Sequence, residues 1–172
     1  LDIGPLKPNL AARLKTPDGQ VQAAPALLLN DLQRFAAQPA LAEGQLLLIG
    51  RRHVRSNNSW MHNYHRLVKG KPRHQLLMNP QDLARRGLQD GQRVRVRSRV
   101  GTLEVEVLAS AEMMPGVVSL PHGWGHGRPG VQMSIAQATP GVSANDLTDE
   151  RLLDALSGNA ALNGVPVEVV AA

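Results

Sequence analysis

The stretch "QRVRVRSRVGTLEVEVLAS", residues 92–110, constrains this chain more than any other. Apolar and charged residues alternate without a break, which gives a repeat of two and not the 3.6 of a helix. Val94, Val96, Leu103, Val105 and Val107 then share one face, and the chain must form sheet. A two-residue loop at Val100–Gly101 sets Arg97 opposite Glu104 and Arg95 opposite Glu106, pairs of opposite charge that favour the hairpin. The arginine run therefore reads as a solvated sheet face, in preference to an anion-binding patch.

Four further stretches read as strands. "QLLLIG" and "RHQLLMN" are apolar runs of the buried kind, "PGVVSL" follows them, and "VPVEVV" closes the chain. Helical signals are short. "NPQDLARRGL" offers Asn79 as N-cap, Pro80 at the first helical position, Asp82 in the first turn and Gly87 as terminator. "ALLLNDLQRFAAQ", residues 26–38, is a second candidate, and "LTDERLLDALSG" a third, capped by Thr148 or Asp149. Many short strands with short helices and no regular βαβ alternation predict a mainly β fold, a mixed barrel. Residues 1–44, with prolines at 5, 8, 17, 25 and 39 and a turn at "TPDGQV", read as a proline-rich lead-in. The barrel domain is expected over residues 45–172.

Composition narrows the functions. No apolar run approaches the ~18 residues of a membrane span, so no membrane insertion is expected. Cysteine is absent from the 172 residues, which removes thiolate metal sites and cysteine nucleophiles. The net charge of +5 invites nucleic acid, but four aromatics (Phe35, Trp60, Tyr64, Trp124) make too small a stacking platform, and no nucleic-acid partner is expected. His62, His65, His122 and His126 have zinc-like spacings but sit in loop sequence with no acid beside them. G-x-S-x-G, G-x-G-x-x-G and the P-loop pattern are all missing. The chain begins at Leu1 and reads as the tail of a longer protein, expected in the cytoplasm rather than the periplasm.

The remaining concentration of chemistry is "LLLIGRRHVRSNNSWMHN", where an apolar strand turns abruptly into hydrogen-bonding side chains. Arg51, Arg52 and Arg55 suit phosphate oxygens bidentately. Ser56 and Ser59 can complete an anion cradle, and Asn57, Asn58 and Asn63 can pair with a heterocycle edge. An asparagine-rich turn that satisfies its own backbone fits the same residues. Further on, "PHGWGHG" supplies glycines that permit close approach to a flat ligand, and "SANDLTD" supplies Asn145 and Thr148. Trp124 either walls such a pocket or plugs the barrel, and Thr148 either joins it or only caps a helix.

Four motifs in this order, "LLLIGRRHVRSNNSWMHN", "MNPQDLARRGLQDGQRVRVRSRVG", "MPGVVSLPHGWGHG" and "SANDLTD", resemble the C-terminal molybdopterin-dinucleotide-binding domain of the molybdenum oxidoreductases. That family includes formate dehydrogenase, nitrate reductase and dimethyl sulfoxide reductase. The likeness runs from about Gln45 to Val170. It implies a six-stranded double-psi β-barrel and a bis(molybdopterin guanine dinucleotide) cofactor of molybdenum or tungsten. It also implies that other domains of the parent enzyme complete the grip, supply the metal ligand and hold any iron–sulfur cluster, so the chain would not be catalytic alone. By the same resemblance Arg51, Arg55, Ser56, Asn57, Asn58, Ser59, Trp60, Met61, His62 and Asn63 would hold one pterin dinucleotide. His122, Gly123, Trp124, His126, Asn145 and Thr148 would have to meet them. The alternative is a non-redox double-psi barrel that binds an anionic ligand or a protein partner.

Overall fold

A computed structural model describes Asp2 and Gly4–Ala172. The chain divides into two units, Leu1–Ala40 and Leu41–Ala172. The first holds a single-turn helix α1 (Leu10–Arg13) and α2 (Ala26–Ala36), the helix expected from "ALLLNDLQRFAAQ", with the expected turn at Thr16–Gly19 before it. Among the described residues no helix is long and apolar enough to cross a membrane.

The second unit is a closed barrel of six strands with short helices between them. The elements run β1 (Leu46–Arg51), α3 (His65–Val68), β2 (Leu76–Met78), α4 (Pro80–Arg85), β3 (Arg93–Arg97), β4 (Thr102–Ala109), β5 (Val117–Pro121), α5 (Ser134–Ala138), a 3₁₀ turn (Ala144–Leu147) and β6 (Val165–Ala171). Around the barrel the order is β1-β5-β2-β4-β3-β6. Two pairs are parallel, β1 with β5 and β2 with β4, and each joins strands far apart in the chain. The connections must therefore cross the barrel twice, in the double-psi arrangement. Closure leaves no free sheet edge among the described strands.

The core follows from the alternation. Val94, Val96, Leu103, Val105 and Val107 point inward beside Leu46, Leu48, Leu76, Met78, Val118, Leu120, Val165 and Val167. β5, flanked by β1 and β2, is buried at every position. Asn79 caps α4 as expected, its Oδ1 accepting from the Gln81 N–H, and Gly87 ends the turn at φ 63°. Asp82 in the first turn is buried, and its carboxylate accepts the Gly116 N–H at 2.6 Å, which ties α4 to the entry of β5.

Two expectations are corrected. The β3–β4 loop is longer than two residues, with Arg97 paired to Thr102, so Arg95 faces Glu104 and Arg93 faces Glu106. Ser98 causes this: its Oγ accepts from the Val100 and Gly101 N–H groups and makes the turn itself. The slip is by two residues, so the inward face is unchanged. Arg97 instead pairs with Glu168 of β6 at 3.0 Å. The helix expected from "LTDERLLDALSG" does not form either. Asp149 accepts from the Arg99 guanidinium and the Arg151 N–H, Asp154 accepts the Ser157 N–H, and Leu153 bridges to Ala160. These aspartates turn the backbone locally and displace the helix ladder.

Candidate functional site

The site is assembled by the parallel pair β1–β5. Parallel strands deliver their C-terminal ends to the same end of the barrel. Arg51 and Pro121 are paired at that end, and the His122 N–H donates to the Arg51 carbonyl at 2.9 Å. The loop after β1, residues 52–64, therefore leaves the barrel beside the loop after β5, residues 122–133. This is why "RRHVRSNNSWMHN" and "PHGWGHG" meet although His62 and His126 lie 64 positions apart in sequence.

They meet closely. Gly123, at φ 87°, packs so tightly on the Asn58 carbonyl that a Cβ there would collide with it. The His62 ring stacks on Trp124 with centroids 3.9 Å apart, and His62 Nδ1 lies 2.8 Å from His126 Nε2. One ring of that pair must donate and the other accept, so the two share a single proton. His62 is fully buried, and burial together with nearby His126 and Arg73 pushes it down to about 4. Burial also lowers His126. Both rings are held neutral near pH 7. Gly141 and Gly125 allow residues 140–143 to press against Trp124 and the second loop from behind.

The first loop is a run of turns. Ser56 N–H donates to the His53 carbonyl, and Met61 N–H donates to the Ser56 carbonyl. Asn57 and Asn58 both take left-handed backbone, φ 40° and 64°, which is unusual for residues other than glycine and is tolerated best by asparagine. The Ser56 hydroxyl in the same loop is buried at 2% exposure with no partner. Such groups cost free energy unless a further partner satisfies them. Two strained asparagines and an orphaned hydroxyl in one loop describe a cradle that does not satisfy itself. The donor set present here fits a dinucleotide's pyrophosphate and ring edges.

Individual expected residues fall into different settings. Asn57, Asn58 and Trp60 are exposed, Ser59 and Met61 partly so. Trp124 is buried at 7% exposure, so it supports the loop junction from within, whereas Trp60 stands 82% exposed. Asn63 Oδ1 accepts from the Ile135 and Ala136 N–H groups and so anchors α5. Arg51 has turned inward: its Nη atoms donate to the carbonyls of Ser119 at 2.5 Å, Gln75 at 2.6 Å and Arg73 at 3.2 Å. Burial pushes its guanidinium down to about 10, and its forks stitch β1 to β5 and β2 in place of an open anion fork. Arg55 donates to the Arg66 carbonyl.

Asn145 and Thr148 do not touch the 56–63 loop in the same way. They line a cavity of about 120 Å³ with Arg51, Arg52, His122 and Asn163. His122 and Gly123, neighbours in sequence, thus stand between the two parts: one lines this cavity and the other abuts Asn58. No helix follows Thr148, and its hydroxyl donates to the Asn145 carbonyl. The expected helix N-terminus is therefore not among the donors. Asn163, whose Oδ1 accepts the Gly50 N–H at 2.7 Å, was not anticipated. "NGVP" reads locally as a turn, and only the antiparallel β1–β6 pairing carries it to the end of β1. Among the described residues no group of three metal-ligating side chains forms; His62 and His126 pair with each other.

A closed double-psi barrel whose two loops, after β1 and β5, converge on an unsatisfied polar cradle has the form of a ligand-binding domain. The chain belongs to the molybdopterin dinucleotide binding domain family, whose model matches residues 46–166. It is similar to a tetrathionate reductase subunit of Salmonella typhimurium, 31% identical over 121 residues that cover 60% of this chain and 12% of that protein. Its fold is similar to acetylene hydratase of Pelobacter acetylenicus, with a TM-score of 0.63 and 20% identity over 84% of this chain and 20% of that one. The chain thus spans a small part of the length of both proteins.

Proposed function

We propose that this domain grips one guanine dinucleotide half of a bis(molybdopterin guanine dinucleotide) cofactor within a larger, formate dehydrogenase-like oxidoreductase. The metal is molybdenum or, in the same ligand set, tungsten. Remaining domains of the parent close the other side of the cofactor, provide the metal ligand and hold any iron–sulfur cluster; the compartment we favour is the cytoplasm. Bound there, the cofactor would supply two-electron redox chemistry at its metal. The chain's own residues bind and orient. Ser56, Asn58 and Ser59 would meet the dinucleotide at the first loop, with Asn145, Thr148 and His122 at the neighbouring cavity. His62, Trp124 and His126 hold the two loops in register beneath them.

One observation carries the reading: the buried, unpartnered Ser56 hydroxyl beside the left-handed Asn57–Asn58 turn, at the barrel end where the β1 and β5 loops converge. Kinship with a reductase over 60% of the chain supports the oxidoreductase setting. The test is made in the parent enzyme. Asn58→Ala combined with Ser59→Ala, both on exposed or half-exposed positions, leaves the barrel folded and lowers bound molybdenum and extracted guanine nucleotide together. A double variant that kept full metal and nucleotide would remove this loop from the site. The isolated domain binds the free dinucleotide only weakly, because half of the grip is elsewhere.

A further inference from the structure

The sequence holds a single Asn-Gly pair, Asn163–Gly164, immediately before β6. Both residues are exposed. Glycine has no side chain to shield its backbone nitrogen, so an asparagine ahead of it is the one whose side-chain amide is most open to attack by the following residue. Attack closes a five-membered ring and needs no other part of the chain.

β1 holds both reacting groups. Asn163 Oδ1 accepts the Gly50 N–H at 2.7 Å, and the Gly164 N–H donates to the Leu48 carbonyl at 2.8 Å. In an extended strand the carbonyl of one residue and the N–H of the residue two further on leave by the same edge, so the Asn163 amide and the Gly164 nitrogen are kept side by side against β1. The two bonds act in opposite senses. The Gly50 N–H withdraws electrons from the Asn163 amide and supports the negative charge that builds on Oδ1 during attack. The Leu48 carbonyl holds the proton that Gly164 must lose first. The second bond sets the rate, because a nitrogen that keeps its proton is no nucleophile. It also lies at a weak place: β1 and β6 pair over three residues, Leu46–Leu48 with Val165–Val167, and Gly164 stands just outside that ladder. Fraying of the ladder's end is enough to free it.

We propose that Asn163–Gly164 is a latent deamidation site, latched by β1 and released when the start of β6 frays. On release the Gly164 nitrogen gives its proton to hydroxide and attacks Asn163 Cγ. The N–Cγ bond forms, the Cγ–Nδ2 bond breaks, and the amide nitrogen takes a proton from water and leaves as ammonia. Water then opens the cyclic imide at either carbonyl, to aspartate or isoaspartate. One water is consumed, one ammonia is released and no electrons change hands. Either product places a carboxylate where an amide lined the cavity beside Arg51, Arg52 and His122. Isoaspartate also lengthens the main chain by a carbon directly ahead of β6. The consequence for binding rests on the proposed function, that this cavity takes part of an anionic dinucleotide: a negative charge there repels the ligand, and bound ligand shields the latch.

The experiment ages the chain in mildly alkaline buffer and follows residue 163 by peptide mass and isoaspartate content. In the urea-unfolded chain Asn163 converts faster than Asn58, Asn145 and Asn159, each of which precedes a bulkier residue. In the folded chain it converts roughly tenfold or more slowly, and that slowing matches, within about threefold, the hydrogen-exchange protection of the Gly164 N–H, since both reactions wait for the same opening. Equal rates in the folded and unfolded chain overturn the latch. A slowing far beyond the protection of that N–H overturns it too, because the side chain and not the nitrogen would then be the restraint. Faster conversion of another asparagine in the unfolded chain overturns the site. In the parent enzyme Asn163→Asp lowers cofactor content, and the loaded enzyme ages more slowly at residue 163 than the cofactor-free one. Unchanged content together with equal ageing would remove this cavity from the cofactor's grip, whereas the latch is decided by the chain alone.

Discussion

Two arginine-rich stretches lie in one barrel unit and differ in how their charge is met. In residues 93–99 each arginine has a carboxylate within reach on a neighbouring strand or on the loop after the 3₁₀ turn, and the face is electrically closed. In residues 51–73 none has one among the described residues, and the polar groups turn to backbone carbonyls or stay orphaned. Both are rich in arginine and neither contains an acidic residue of its own. What differs is whether the fold brings an acid to each base. A surface that neutralises itself adds little repulsion to the fold, whereas one that does not keeps a like-charge repulsion that only solvent and salt relieve.

The largest test of this contrast is pH. His62 and His126 sit inside the open region with no carboxylate to stabilise a second proton, whereas the hairpin's pairs need only ionised acids. His62 has its folded value depressed to about 4 from an ordinary 6.5. The unfolded chain therefore takes up the proton first as pH falls. Stability from this group is complete above about pH 6.5 and is lost progressively down to about pH 4, by at most about 3 kcal/mol. Asp149, held down to about 2 by the Arg99 guanidinium, keeps its contribution over that range and loses it only in stronger acid. Urea midpoints measured from pH 7 to pH 4 should fall for the wild-type chain and flatten in His62→Phe. A wild-type midpoint level across that window would break the contrast.

The second test concerns packing at the loop junction. Gly123→Ala adds a methyl group against the Asn58 carbonyl at a left-handed φ, so the two loops must part. Strain and lost stacking of His62 on Trp124 together cost about 2 kcal/mol. Cofactor content of the parent should fall with stability, unlike the exposed Asn58 and Ser59 changes. If Gly123→Ala were neutral in thermal unfolding, the close approach would not be holding the site.

The hairpin's inward face was readable because alternation fixes which side chains are buried, and burial fixes the barrel. Its register was not, because Ser98 turns the chain with its own hydroxyl and a slip of two leaves the pattern intact. The acids of "LTDERLLDALSG" suggested a helix's first turn, but Arg99, fifty residues back, takes Asp149 away. Within the site, residues 56–63 and 122–126 were visible as concentrations of donors and glycines. Their meeting followed from the family resemblance and is explained by the parallel β1–β5 register. Arg73 and Asn163 had no local signal: one precedes a strand, the other sits in an ordinary turn, and only long-range hydrogen bonds reveal them. Arg51 was legible as an arginine at a strand end, but its inward turn onto three carbonyls was not.

The smallest effect is expected where charge is already balanced. Arg97 lies opposite Thr102 on β4 and pairs with Glu168 on β6 at 3.0 Å, both side chains about half exposed. Arg97→Glu replaces that attraction with like charges across the β3–β6 ladder. Solvent screens exposed pairs, so the loss is on the order of 0.5–1 kcal/mol and shrinks further in high salt. Denaturant unfolding of the 172-residue chain at two salt concentrations reads it directly. Cofactor content of the parent should stay at the wild-type level, since no orphaned donor or loop residue is touched. A fall at unchanged stability would mean that the balanced face takes part in binding, and that paired and unpaired arginines do not divide the barrel as the ion pairs divide them.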